Sequence, residues 1–350
     1  MICLGIETTA HTFGASVVDD GASKGDKKID RSKVRILSNV KDSYTTEAGG
    51  MIPKDAAEHH VAVCGRVIQE ALDKAGVRMR KVDIVSFSQG PGLGHCLRIG
   101  AMAARLLAAK HNLPLVGVNH CIAHLEIGRL VCDAHDPVLL YVSGANTQVI
   151  AFDGGRYRIF GETLDIGVGN FLDCFARCLG LGFPGGPKIY ELALKGKNYI
   201  KLPYVVKGMD VSFGGLLTNL KQKIESGSSH EDLAFSVQET VFAMLLEVSE
   251  RALAHCNKGE LLLGGGVACN KRLVEMAKGM CEARGASCFV PEPEFLLDNA
   301  AMIAWNGLLV FRAGETIRIE DSIIRPYWRT DEVNSKLSKA CLAAKARPYA

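Results

Sequence analysis

The feature that most restricts how this chain can fold is a pattern that occurs twice. ICLGIETTAHTFGASVVDDG, from residue 2, reads as an apolar strand, a small polar turn, a second strand and a closing Asp-Asp-Gly turn. VLLYVSGANTQVIAFDGG, from Val138, repeats it with a Ser/Gly/Asn/Thr turn and a closing Asp-Gly. A repeated unit predicts a duplicated architecture with two related lobes. The length agrees: 350 residues exceed one ordinary core and suggest two domains at roughly 100–200 residues each. The expected division is a first lobe over 1–135, a second over 136–330, and a basic tail over 331–350.

Between and after the repeats, helical periodicity is expected around 55–75, 97–112, 171–179, 231–255, 271–284 and 299–311, with the apolar strand VDIVSFSQ between the first two. Alternating strands and helices predict an α/β fold of mostly parallel or mixed sheets covered by helices. Ligands in such folds sit at loops that follow strand ends.

An apolar content of 48% and a charged content of 23% exclude a disordered protein. No apolar run reaches the 18 residues of a membrane span, and the N-terminus lacks the charged-then-apolar layout of a signal peptide, so a cytoplasmic protein without membrane contact is expected. Twelve cysteines scattered through apparent helices and strands read as reduced, buried thiols. The net charge of +3 does not by itself mark a nucleic-acid binder. Two basic stretches, residues 21–35 and the tail from Lys336 to Arg347, read either as phosphate contacts or as solvated segments.

Glycine makes up 37 residues, roughly 11% against about 7% in average usage, and the excess is clustered. GPGLG (90–94), VSGAN (142–146), GFPGGP (182–187) and LLGGGVACN (262–270) each fall where a strand meets a turn or helix. Glycine there allows close backbone approach and leaves N–H groups for phosphate. None is a Walker loop or a dinucleotide fingerprint; their recurrence in both halves is what points to a nucleotide cleft.

In VNHCIAHLE, His120 and His124 are four residues apart, and on a helix they share one face, which suits one metal ion. Two buried structural rings are the equally open alternative. Cys121 stands where a zinc-protease helix carries its glutamate, which disfavours proteolysis. Asp298, read as opening the helix in LLDNAAMIAW, and the phenol of Tyr141 are oxygen donors able to complete a site for iron, zinc or manganese.

GIETTAHTFG, GGMIPKDAAEHH, QGPGLGHCLRIG, VNHCIAHLE, LYVSGANTQVIAF, ETLDIGVGNFLDCFAR, FPGGPK, LLLGGGVACN and LLDNAAMIAW occur in that order from residue 5 to residue 305. In this the chain resembles the tRNA threonylcarbamoyladenosine transferase family, in its archaeal and eukaryotic branch. The resemblance implies a two-lobed actin/Hsp70/sugar-kinase-like (ASKHA) fold. It also implies transfer of threonylcarbamoyl from threonylcarbamoyl-AMP, made by a separate synthase, to the N6 amine of the adenosine 3′ to the anticodon in tRNAs reading ANN codons. By position it implies metal ligation by His120, His124, Tyr141 and Asp298, with iron ahead of zinc or manganese. Contacts to threonylcarbamoyl-AMP or ATP fall on Val142, Ser143, Gly144, Ala145, Asp173, Gly186 and Asn270. His11 is the candidate base and Glu7 a supporting or water-binding group. The implied partners are tRNA and the kinase-like ATPase and small accessory subunits of the KEOPS complex. Ala145 replaces a usual glycine and Tyr190 a usual acidic residue, so no contact is carried to Tyr190.

Two other readings stand beside this one. The same fold serves small-molecule kinases, carbamoyl-transferring enzymes and ATP hydrolases, although sugar kinases work without histidine ligands. A noncatalytic scaffold is the second, and the retained ligand set argues against it.

Overall fold

The computed structural model describes residues 1–23, 26, 29–46 and 51–333. Lys336, Lys345 and Arg347 of the basic tail, and Lys24, Lys27 and Lys28 of the first basic stretch, lie outside the described residues.

The first half contains β1 (Ile2–Glu7), β2 (Thr12–Asp19), β3 (Arg35–Ser43), α1 (Pro53–Ala75), β4 (Ile84–Gly90), α2 (Gly94–His111), β5 (Leu115–Asn119) and α3 (His120–Val131). The second contains β6 (Val138–Val142), β7 (Thr147–Asp153), β8 (Arg156–Glu162), α4 (Val168–Cys178), α5 (Gly185–Ala193), the short hairpin β9 (Val206–Lys207) and β10 (Asp210–Val211), α6 (Gly214–Glu225) and α7 (His230–His255). It continues through β11 (Glu260–Gly264), α8 (Lys271–Ala283), β12 (Ser287–Phe289), α9 (Pro293–Leu296) and α10 (Ala300–Arg312).

The sequence repeat becomes a repeat of topology. The sheets run β3-β2-β1-β4-β5 and β12-β11-β6-β7-β8. In each, the opening three strands are antiparallel neighbours and the next two add in parallel beside the first. Strand β1 is buried on both faces beyond its first residue, as expected of a near-continuous apolar run in a covered sheet.

Helices α3 and α10 lie between the two sheets and share one apolar cluster with residues of both, including Ile84, Val116, Tyr141, Leu262 and Trp305. Helix α10 comes from the end of the chain and returns beneath the first sheet. Its backbone approaches β1 so closely that a Cβ on Gly5 would stand 2.4 Å from Ala304 N. Within the basic stretch, Arg31 is buried and its Nη1 donates to Ala134 O at 3.2 Å, while Arg35 Nη2 pairs with Asp19 Oδ2 at 2.7 Å. Arg31 is therefore committed to the fold, while the Arg35 guanidinium stays exposed in its pair with Asp19.

The cysteine expectation is corrected in part. The described cysteines are free, but only Cys3, Cys96, Cys121 and Cys281 are buried, and Cys269 is exposed on the turn after β11.

Asp165, in the β8–α4 connection, caps α6 from a distance. Its Oδ1 accepts from Phe213 N at 2.9 Å and its Oδ2 from Gly214 N at 2.7 Å and Ser212 Oγ at 2.6 Å. Burial works to raise its pKa, yet these donors hold it down at about 2. Because the folded value is depressed below the usual 3.8, the contribution to stability is full above the unfolded pKa and disappears as pH falls towards 2. Asp165→Asn is expected to lower the denaturant midpoint at pH 7 and to narrow its gap from the parent chain between pH 4 and 2. A gap that stays constant with pH would refute this assignment.

Candidate metal and nucleotide site

Strand β5 passes into α3 without a loop. Asn119 ends the strand, and its side chain accepts from Cys121 N at 3.0 Å and Ile122 N at 3.2 Å, capping the helix. His120 thus opens α3 at the carboxyl end of a parallel strand, where ligands collect in such sheets. His124 follows one turn on, with ring centroids 4.8 Å apart. Asp298 reaches them from the turn between α9 and α10, its Oδ1 3.3 Å from His120 Nε2 and 3.4 Å from His124 Nε2. One donor atom from each residue lies within 4.8 Å of the others. The helix start belongs to Asn299, whose side chain accepts from Met302 N at 3.0 Å, so Asp298 does not cap as expected and its carboxylate is left to face the histidines. Tyr141, near the end of β6, is buried, its ring centroid 4.9 Å from that of His124.

Electrostatics fit this donor set to a cation. Burial opposes charge on His120, but the Glu7 and Asp298 carboxylates overcome it and hold its pKa up at about 10. Burial would raise Asp298, yet the two imidazoles keep it well below the usual carboxylate range, while burial lowers His124. Glu7 faces His120 from its Nδ1 side and Asp298 faces both rings at Nε2, so the paired imidazoles lie in a field of negative charge. Two imidazole nitrogens and a carboxylate oxygen suit a divalent transition metal or zinc.

Behind His120, Glu7 Oε2 takes Nδ1 at 3.1 Å, with Thr9 Oγ1 3.2 Å away; Thr9 N donates to Glu7 Oε1 at 2.6 Å. This directs Nε2 inward and fixes the tautomer, the arrangement by which carboxylates orient metal-binding histidines. The buried Nδ1 of His124 has no such partner. Glu7→Gln is expected to weaken metal binding about 10–100-fold in a competitive metal titration. An unchanged affinity would remove Glu7 from this role. Sequence reading placed Glu7 nearby but gave no signal for Thr9.

The glycine turns converge beside the metal ligands. A Cβ on Gly264 would lie 3.8 Å from His124 Cβ, and one on Gly265, whose φ is +89°, would meet Val142 O at 2.3 Å. The Ser143–Gly144 backbone packs on the start of α4, accepting from Gly169 N at 3.0 Å and Asn170 N at 2.9 Å. Among the described residues the N–H groups of Gly144 and exposed Ala145 have no acceptor. Asp173 lies on α4 and reaches the start of α5, its Oδ1 accepting from Gly185 N at 2.7 Å next to Gly186; burial raises its pKa against that bond. Asn270 caps α8, accepting from Arg272 N at 2.9 Å.

His11 lies on the same turn as Thr9 and faces the other lobe. Its ring meets Phe183 edge-on at 5.5 Å, which places it beside the turn that leads into Gly185 and Gly186.

A duplicated five-stranded sheet with helices between the halves defines a protein of the ASKHA type. Two solved structures share this fold: HypF of Thermococcus kodakarensis, 16% identical, with a TM-score of 0.62 over 92% of this chain and 49% of that one, and component A of (R)-2-hydroxyglutaryl-CoA dehydratase from Acidaminococcus fermentans, 14% identical, with a TM-score of 0.53 over 88% and 97%. The family model for tRNA N6-adenosine threonylcarbamoyltransferase matches residues 35–305. Proteins of that name are 56% identical in Thermococcus kodakarensis, over 95% of this chain and 98% of the relative, and 53% identical in Thermofilum pendens, over 94% and 95%. The chain belongs to the tRNA N6-adenosine threonylcarbamoyltransferase family and is a transferase. No helix among the described residues is long and apolar enough to cross a membrane.

Proposed function

We propose that this chain transfers threonylcarbamoyl from threonylcarbamoyl-AMP to the N6 amine of the adenosine 3′ to the anticodon in tRNAs reading ANN codons, releasing AMP. The observation that carries this reading is the convergence of His120, His124 and Asp298 within 4.8 Å, directly beside the glycine turn at Gly264. His120, His124, Asp298 and Tyr141 would hold one divalent metal, iron ahead of zinc or manganese. Such a metal would bind the threonylcarbamoyl end and polarise its carbonyl.

The chain's own groups then supply position and proton handling. The N–H groups of Gly144 and Ala145, flanked by Val142 and Ser143, would take the phosphate, and Gly186 allows it close approach. Asp173 has lone pairs left for a ribose hydroxyl, and Asn270 has an amide hydrogen for the nucleoside. As the N6 nitrogen attacks, a C–N bond forms, the C–O bond to the phosphate breaks and its electron pair leaves with AMP. His11 takes the amine proton on a ring nitrogen.

Lys33 and Arg35, the exposed basic groups of the described part of the 21–35 stretch, would meet tRNA phosphates; the 336–347 stretch lies outside the described residues. A relative named "Probable bifunctional tRNA threonylcarbamoyladenosine biosynthesis protein" from Methanothermobacter thermautotrophicus, of whose length this chain spans 60%, supports a second component working beside the transferase. We assign this the kinase-like ATPase of a KEOPS assembly, with small accessory subunits, a separate synthase and a cytoplasmic setting. We also place the lobe boundary at 135/136, in the α3–β6 connection, with α10 returning to the first sheet.

The test incubates the metal-loaded chain and its partners with labelled threonylcarbamoyl-AMP and unmodified tRNA. Label should enter the adenosine next to the anticodon. Hydrolysis without label in tRNA, under conditions in which a family member transfers, would defeat the reading.

A further inference from the structure

The environment of Asn270 restricts what that residue can say to a ligand. An asparagine amide has two acceptor lone pairs and two donor hydrogens. Asn270 Oδ1 accepts from Arg272 N at 2.9 Å and Leu273 N at 3.4 Å, so its oxygen is spent on the start of α8. Its Nδ2 donates to Gln238 Oε1 at 2.6 Å. One N–H remains.

Gln238 belongs to α7 and is 4% exposed, on the helix face that buries Val237 and Val241 in the core. The next residue, Glu239, holds α8 from the same side, taking Arg272 Nε and Nη2 at 2.7 and 2.8 Å. Amide orientation is therefore fixed in sequence. The helix cap forces Asn270 Oδ1 towards α8, which turns Nδ2 to Gln238, which in turn must present Oε1. A reversed Gln238 would set two donors against each other.

With the Asn270 oxygen spent on the cap, we propose that Gln238 is a positioning residue that takes one Nδ2 hydrogen and so fixes the direction of the remaining one, by which this corner selects an acceptor atom of the adenosine nucleotide: a ribose oxygen or a ring nitrogen. The proposal rests on the reading above that Asn270 faces the nucleotide. Neither the spacing of motifs nor the glycine turns pointed to Gln238. The only sequence signal is a glutamine inside the apolar run AFSVQETVF.

The experiment measures AMP binding to the metal-loaded chain by calorimetric titration, with melting temperature followed in parallel. Gln238→Met keeps length but removes the acceptor, and is expected to weaken AMP about tenfold, the effect of one net hydrogen bond. Asn270→Asp keeps the helix cap while removing the donor, and should weaken AMP similarly. The double variant should bind no more weakly than Asn270→Asp alone, because the glutamine acts through the asparagine. Should Gln238→Met fail to fold, Gln238→Asn keeps a polar group yet falls about 1.5 Å short of the contact, and the same loss is expected. AMP binding by Gln238→Met or Gln238→Asn equal to that of the unaltered chain overturns the inference, as does a double variant weaker than Asn270→Asp. Absence of AMP binding by the unaltered chain would instead overturn the nucleotide reading, and this inference with it.

Discussion

Replacing His124 with alanine is expected to leave the purified chain without metal and to lower threonylcarbamoyl transfer by about three orders of magnitude, the scale of several kcal/mol of lost charge stabilisation. The geometry explains why one ligand matters so much. His124 Nε2 and His120 Nε2 share a single carboxylate oxygen, at 3.4 and 3.3 Å, so removing either ring leaves Asp298 with half its partners. The fold should survive: His124 Nδ1 makes no hydrogen bond, and the helix is capped at Asn119, away from the substitution. Elemental analysis of metal content and single-turnover transfer check the two halves separately. A His124→Ala chain that keeps both metal and transfer would end the proposed metal role.

The second large effect is on stability. Trp305→Ala is expected to cost about 3–5 kcal/mol, the range for emptying a large aromatic site in a close-packed core. Trp305 is fully buried on α10 between the sheets, and its Nε1 donates to Glu126 O at 3.1 Å. Its loss leaves a cavity and removes a second hydrogen bond from a carbonyl within α3. Helix α10 also starts just after Asp298, so metal affinity should fall with stability. Urea unfolding with and without metal measures both; a change below about 1 kcal/mol would contradict this account.

Much of the fold was legible because it is local and repeated. The strand–turn–strand units at the two repeats form β1–β2 and β6–β7, and the long helices fall where apolar periodicity placed them. The third strand of each sheet was not legible. β3 buries only Ser38 and Val40 at a sheet edge, and its first residue, Arg35, reads as part of a basic loop. β8 has the same edge character. Edge strands bury little on one side, so their apolar pattern is weak.

The site divides in the same way. His120 and His124 are one helical turn apart, and their shared face follows from the period of the helix alone. The role of Asn270 as a cap also follows from its position before a helical run. By contrast, Thr9 and Gln238 act through contacts with residues 111 and 32 positions away, and nothing near them in the chain announces it.

By itself, then, the order of residues determined the duplicated units, the helix that aligns two imidazoles, and the kinds of donor available. Only tertiary structure decided that Asp298, 174 positions from His124, completes the cluster. The physical reason is the return of α10 beneath β1. That return depends on close backbone packing at Gly5 and on burial of Trp305 between the sheets, both long-range contacts that no local period encodes.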